Sequence, residues 1–184
     1  MGREKSQMHA ITLINPKTPY NVASVLRACS IFGADTLGWT GTRIPHPDKW
    51  PRGTKLPREE RMKIYRDVTM LGGMKQENFL KWFTTMGMTP IAVEKRDNAE
   101  SLDDFRHPQK AVYVFGPEDG SIPRGILAAC HRFVRIPTVT EHAPLNLSGA
   151  VYVTLYDRLT KFRKPPQEDL EPFLSSEILL REAT

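Results

Sequence analysis

Residues 133–157 constrain the fold of this chain more than any other stretch. Residues 133–136, Phe-Val-Arg-Ile, form an apolar, β-branched run, and Pro137 must end it because proline donates no hydrogen bond to a central ladder. Near Asn146 the period changes, and Leu147, Ala150, Val151, Leu155 and Leu159 fall on one face of a long helix. Arg158, Lys161 and Arg163 occupy its last turn, where the helix dipole favours cations. A buried strand joined by a polar loop to a helix N-terminus is a good place to hold a ligand.

The same unit recurs upstream. Residues 9–15, 35–40, 89–94 and 112–115 are strand candidates rich in Ile, Val, Leu and aromatic residues. Between them lie helical periods at 21–32, 77–86 and 123–131. In the first, Asn21 is placed as the cap and Gly33 as the stop; Val22, Val25, Leu26, Cys29 and Phe32 make the apolar stripe, with Arg27 nearly opposite. Ile31 is apolar but off that stripe, which points to a partner over that face. Strands alternating with helices predict an α/β fold with a mostly parallel sheet flanked by helices.

With 184 residues, 40% hydrophobic, the chain suits one domain, expected over 1–163, with a tail at 164–184. No apolar run approaches the roughly 18 to 20 residues of a membrane helix, and the polar N-terminus has no signal-peptide core, so a cytoplasmic protein without membrane contact is expected. Cys29 and Cys130 sit in apolar segments and read as reduced packing residues, and the five histidines show no metal-ligand spacing, so no metal is expected. Residues 43–66 read as an exposed insertion, with eight Lys or Arg against three acids, four prolines, Trp50 and Tyr65. Basic loops with aromatics suit RNA, and Arg43, Lys49, Arg52, Lys55 and Arg58 are the candidate contacts; a solvated loop is the plainer alternative.

Neither G-x-G-x-x-G nor a Gly-Lys-Ser/Thr loop is present, which removes the main support for dinucleotide and P-loop chemistry. Three motifs remain, in order: Asn21, Arg27 and Phe32-Gly33; Phe115-Gly116 with Glu118; and Ile136-Pro137 with Leu145-Asn146. Together they resemble the SpoU/TrmH group of the SPOUT superfamily, RNA ribose 2′-O-methyltransferases that use S-adenosyl-L-methionine. The resemblance spans about residues 9–162. Pro144 stands where that group usually has serine, and Ser121 where it usually has glycine, with Gly120 one position earlier. Proline removes a hydroxyl and an N–H, so any contact of that serine must be absent or supplied by Ser148 or Thr140.

The resemblance implies a SPOUT fold with a C-terminal deep trefoil knot, and a homodimer that modifies tRNA or rRNA. It implies that Arg27, Asn21, Glu118 and Asn146 serve catalysis. Phe115, Gly116, Glu118, Ile136, Leu145 and Asn146 would hold S-adenosyl-L-methionine. Within it, Arg27 stabilises a developing alkoxide, while Asn21 and Glu118 orient Arg27 and the substrate and Asn146 braces the loops. The alternatives are a SPOUT-like RNA-binding protein without catalysis and, with less support, an enzyme acting on a base nitrogen.

Overall fold

The computed structural model describes residues 8–45, 67–140 and 144–163. In chain order the elements are β1 (Met8–Leu13), α1 (Pro19–Phe32), β2 (Thr36–Thr40), β3 (Thr69–Met74), α2 (Gln76–Thr85) and β4 (Thr89–Val93). They continue with β5 (Glu100–Ser101), β6 (Lys110–Phe115), α3 (Arg124–Leu127), β7 (Arg132–Arg135) and α4 (Leu147–Phe162). The strands form one sheet in the order β3-β2-β1-β6-β4-β7-β5, and every pairing is parallel.

Parallel strands need crossovers that bury both faces of the sheet, so their apolar residues divide by parity. In β6, Ala111, Tyr113 and Phe115 enter the core beneath α1 and α4, while Val112 and Val114 enter the core that Phe79 and Phe83 of α2 share with Ile126 of α3. Cys29 lies in the first core and Cys130 in the second; both are free thiols, and burial pushes Cys130 up to about 11.

Several boundaries differ from expectation. Helix α1 begins at Pro19, and its cap is Thr18, whose hydroxyl accepts from the Asn21 N–H at 3.4 Å; Asn21 is therefore in the first turn and its side chain is released for other work. Gly33 does end the helix, in the left-handed region at φ 78°. Helix α3 is only four residues, and β7 runs over 132–135 with Val134 as its one fully buried side chain. Strand β3 went unforeseen because Gly72 and Gly73 dilute its pattern. Gly72 is there for space, since a Cβ at that position would lie 2.3 Å from the Trp39 ring. The two-residue β5 carries too little pattern to be read. Residues 46–66, the bulk of the basic insertion, and the tail 164–184 lie outside the described residues.

The largest departure concerns the end of α4. Arg158, expected near the helix end as a cation favoured by the dipole, is 2% exposed, and its guanidinium donates to Pro108 O at 2.7 Å, Gln109 O at 2.8 Å and Tyr113 Oη at 3.1 Å. Lys161 Nζ donates to the carbonyls of Leu102 and Phe105 and pairs with Asp157 at 2.9 Å. Between these stands His107, whose side chain is fully buried, with Nε2 2.7 Å from Asp157 Oδ2 and Nδ1 2.5 Å from Tyr113 Oη. An ionised carboxylate only accepts, so Nε2 carries the proton and Nδ1 accepts from the tyrosine, whose oxygen in turn accepts from Arg158. These bonds fasten the C-terminal half of α4 to the loop that enters β6.

Burial depresses His107 to about 4, against the partial opposition of Asp157. Between that value and an ordinary pKa near 6.5 the unfolded chain binds a proton that the folded chain refuses. Stability from this residue is thus complete above about pH 6.5 and declines toward pH 4, by roughly 3 kcal/mol in all. Thermal melts of wild type should lose stability between pH 7 and 5, and His107→Gln, although less stable at pH 7, should flatten that slope. Equal slopes in the two proteins would contradict the assignment.

Candidate active site

A parallel sheet brings the C-terminal ends of all its strands to one edge, where ligands of open α/β sheets bind. Here the exits of β4, β6 and β7 and the start of α4 enclose a cleft of about 570 Å³. Its apolar wall is made by Val93, Phe115, Ile136, Leu145 and Leu147, and its rim by Glu94, Lys95, Glu118, Thr138 and Asn146. Of the six residues expected to hold a cofactor (Phe115, Gly116, Glu118, Ile136, Leu145 and Asn146), all line this cleft. Three separate stretches of sequence are thereby joined. Val93, Glu94 and Lys95 were missed, and the adjacency of β4 to both β6 and β7, which no local motif signals, is what brings them in.

The β6 exit turns tightly over the cleft. A Cβ on Gly116 would approach the Ile122 N–H nitrogen to 3.3 Å, so the missing side chain lets the loop fold closely back on itself. The Ile122 N–H donates to Glu94 Oε1 at 3.2 Å, which ties the β6 loop to the end of β4. On the far side Asn146 caps α4, and its Oδ1 accepts from Ser148 N at 2.9 Å and Ser148 Oγ at 2.7 Å. Asn146 thus sets the helix start. Ser148, considered as a substitute for the serine replaced by Pro144, spends its hydroxyl on that cap, while the Thr140 carbonyl accepts from Thr138 Oγ1 at 3.0 Å.

Glu118 joins the second motif to the first. Its carboxylate accepts from Lys17 N at 2.8 Å, Thr18 N at 3.3 Å and Asn21 Nδ2 at 2.7 Å, so it closes the loop ahead of α1. Burial raises its pKa, but the Asn21 amide and the backbone N–H groups outweigh this and leave it below the ordinary carboxylate value. An ionised group with both oxygens committed is an anchor and a poor proton acceptor. Arg27, two turns into α1 and half-buried, does not line the cleft. Arg43 does not line it either, but its Nη1 bonds both oxygens of Asp119, beside Glu118, at 2.9 and 3.1 Å. That contact holds the Asp119 carboxyl below its usual range. Lys49, Arg52, Lys55 and Arg58 lie outside the described residues.

Replacing Glu118 by alanine should free the amides of Lys17 and Thr18 to exchange faster with solvent, at a stability cost of about 1 kcal/mol. Amides of Ile11 and Tyr113, in the β1–β6 ladder, should keep their protection. Loss of protection in that ladder would show that Glu118 supports the core and not the loop alone.

Comparison with known proteins agrees with this geometry. The family described as the SpoU rRNA Methylase family matches residues 8–156. A tRNA (cytidine(34)-2′-O)-methyltransferase of Escherichia coli is 29% identical over 151 residues, which are 80% of this chain and 89% of that one. A tRNA (guanosine(18)-2′-O)-methyltransferase of Mus musculus is 23% identical over 160 residues, 86% of this chain but only 10% of that protein. Among solved structures, the SpoU methyltransferase AviRb of Streptomyces viridochromogenes in complex with AdoMet superposes with a TM-score of 0.73 at 16% identity, covering 86% of this chain and 62% of that one. A family match over residues 8–156, on a fold that brings the second and third motifs to one cleft and ties the first to it through the Asn21–Glu118 bond, makes this chain a member of the SpoU methylase family.

Proposed function

We propose that this chain transfers a methyl group from S-adenosyl-L-methionine to a ribose 2′-hydroxyl of RNA, with tRNA the first substrate to test. The observation that carries the reading is the cleft lined by the second and third motifs, with Glu118 on its rim bonded to Asn21 of the first. Its volume of about 570 Å³ suits a nucleoside-sized ligand, within the usual range of about 300 to 1,000 Å³. Phe115, Ile136 and Leu145 offer apolar contact, and Glu118 and Asn146 fix the two loops that would hold the cofactor. When bound, the cofactor supplies an electrophilic methyl carbon.

The remaining work is to grip the RNA and to manage the hydroxyl proton. Glu118 is unsuited to accept that proton, for the reasons given above. A guanidinium holds its proton too tightly to be a better base, so Arg27 stabilises the developing 2′-alkoxide and the neighbouring phosphate, and phosphate or water takes the proton. The place of Arg27 then calls for a second copy of the chain. Residues 20, 24, 27 and 31 share one face of α1, on which Tyr20 is 77% and Ile31 54% exposed, and Val153 and Tyr156 stand out from the adjoining α4. A homodimer formed through this stripe would cover it and carry Arg27 toward the partner's cleft. A deep trefoil knot is part of the same reading, supported by β7 lying between β4 and β5 in the sheet.

Pro144 at the cleft keeps a second reading in view, an RNA-binding protein that no longer catalyses. S-adenosyl-L-methionine should raise the melting temperature, since a ligand bound only by the folded state stabilises it by about 2.7 kcal/mol at a hundred times its dissociation constant. Labelled methyl from the cofactor should enter unfractionated tRNA at a ribose, and Arg27→Ala should lower that rate about a hundredfold or more while the thermal shift persists. RNA binding without thermal shift or transfer would favour the second reading. Sedimentation at micromolar concentration should give the mass of two chains; an active monomer would remove the role of the exposed stripe.

A further inference from the structure

Three neighbouring strands, β2, β1 and β6, release their loops at the same corner of the sheet, and charged residues from all three meet there. Lys17 follows β1, Arg43 follows β2 and opens the basic segment, and Asp119 follows β6 directly after Glu118. Lys17 is joined to both acids: its N–H donates to Glu118 Oε2 at 2.8 Å and its Nζ lies 4.0 Å from Asp119 Oδ2. Arg43 reaches the same carboxylate at 2.9 Å. The Arg43 and Asp119 side chains are 41% and 39% exposed, and ion pairs this open to water add little to stability, so stability is a weak reason for the contact.

Geometry gives a better one. A guanidinium is a rigid planar fork with five N–H donors, so a carboxylate that holds one nitrogen fixes where the others point. Both bonds to Asp119 leave from Nη1, and among the described residues the Nε and Nη2 donors stay available. We propose that Asp119 is a positioning residue that holds Arg43 beside the Glu118–Asn21 pair, with its free edge set to receive an RNA phosphate next to the reacting ribose. This rests on the RNA methyltransferase reading and assigns a residue outside its three motifs. An ordered arginine loses less freedom on meeting a phosphate than one on a loose loop, so the effect falls on RNA capture, not on the transfer step.

The experiment measures affinity for unfractionated tRNA by fluorescence anisotropy, alongside the kinetics of methyl transfer to it, for wild type, Arg43→Ala, Asp119→Asn and the double variant. Arg43→Ala should weaken tRNA binding and raise KM for tRNA about tenfold, and lower the slope of log affinity against log salt by about one. Asp119→Asn should do the same to a smaller extent although it removes a negative charge, a direction opposite to simple repulsion of the phosphates. The double variant should be no weaker than Arg43→Ala alone, because Asp119 acts only through Arg43. In all three the kcat and the thermal shift with S-adenosyl-L-methionine should stay near wild type, which separates positioning from damage to the fold.

Tighter tRNA binding by Asp119→Asn, additive losses in the double variant, or unchanged affinity in Arg43→Ala would each overturn the proposal. Failure of wild type to transfer methyl to any RNA would instead overturn the underlying reading, and the affinity cycle would still decide the role of Asp119.

Discussion

The parallel pairing of β1 with β6 is the constraint on which the rest of this structure depends. Met8 to Leu13 lie in unbroken register with Lys110 to Phe115, and one further bond, from Ile14 N to Phe115 O at 2.9 Å, carries the alignment past the strand ends. Residues about a hundred positions apart thereby leave the sheet side by side. Only because Pro16-Lys17-Thr18 and Gly116-Pro117-Glu118 emerge as neighbours can one carboxylate reach the two backbone N–H groups ahead of α1 and the Asn21 amide. The loop geometry of the site is thus a consequence of strand register, and parallel register is enforced by burial on both faces.

Helix α4 is held at both ends by different means, and the difference matters for the site. Its N-terminus is set locally, by Asn146 accepting from Ser148, and borders the cleft through Leu147 and Ala150. Its C-terminal half is fixed by long-range polar bonds from Arg158 and Lys161 to the carbonyls of the loop that enters β6. A buried guanidinium is tolerable only with hydrogen-bond partners, and here two carbonyls and the Tyr113 hydroxyl accept from it. The outcome is that a helix bordering the cleft at one end is anchored at the opposite edge of the sheet, so the N-terminal turn is placed by a rigid body and not by its own loop.

The polar groups at the two edges of the sheet divide by their environment. Glu118 has its charge stabilised by donors and serves as an anchor, whereas His107 is kept neutral by burial and serves the fold at the other edge. Neither is arranged to exchange protons near neutral pH. Proton handling in the proposed reaction therefore falls to a phosphate of the substrate or to water.

By itself the sequence determined the alternation of strands and helices, the apolar stripe of α1, the Gly33 stop, the Asn146 start of α4 and the three motifs, because each rests on residues within one or two turns of each other. It could not determine β3 and β5, where glycines or brevity leave no period to read, nor the cap of α1, where Thr18 and Asn21 compete as neighbouring candidates for the same role. Only the tertiary structure decided that Arg158 is a core residue. A cation in the last turn of a helix has the same local signature whether it faces water or a buried row of carbonyls, and the choice is made by a loop fifty residues away. The same holds for the cleft: Val93, Glu94 and Lys95 belong to it because β4 lies between β6 and β7, an adjacency that hydrogen bonding between distant strands creates and that no local pattern encodes.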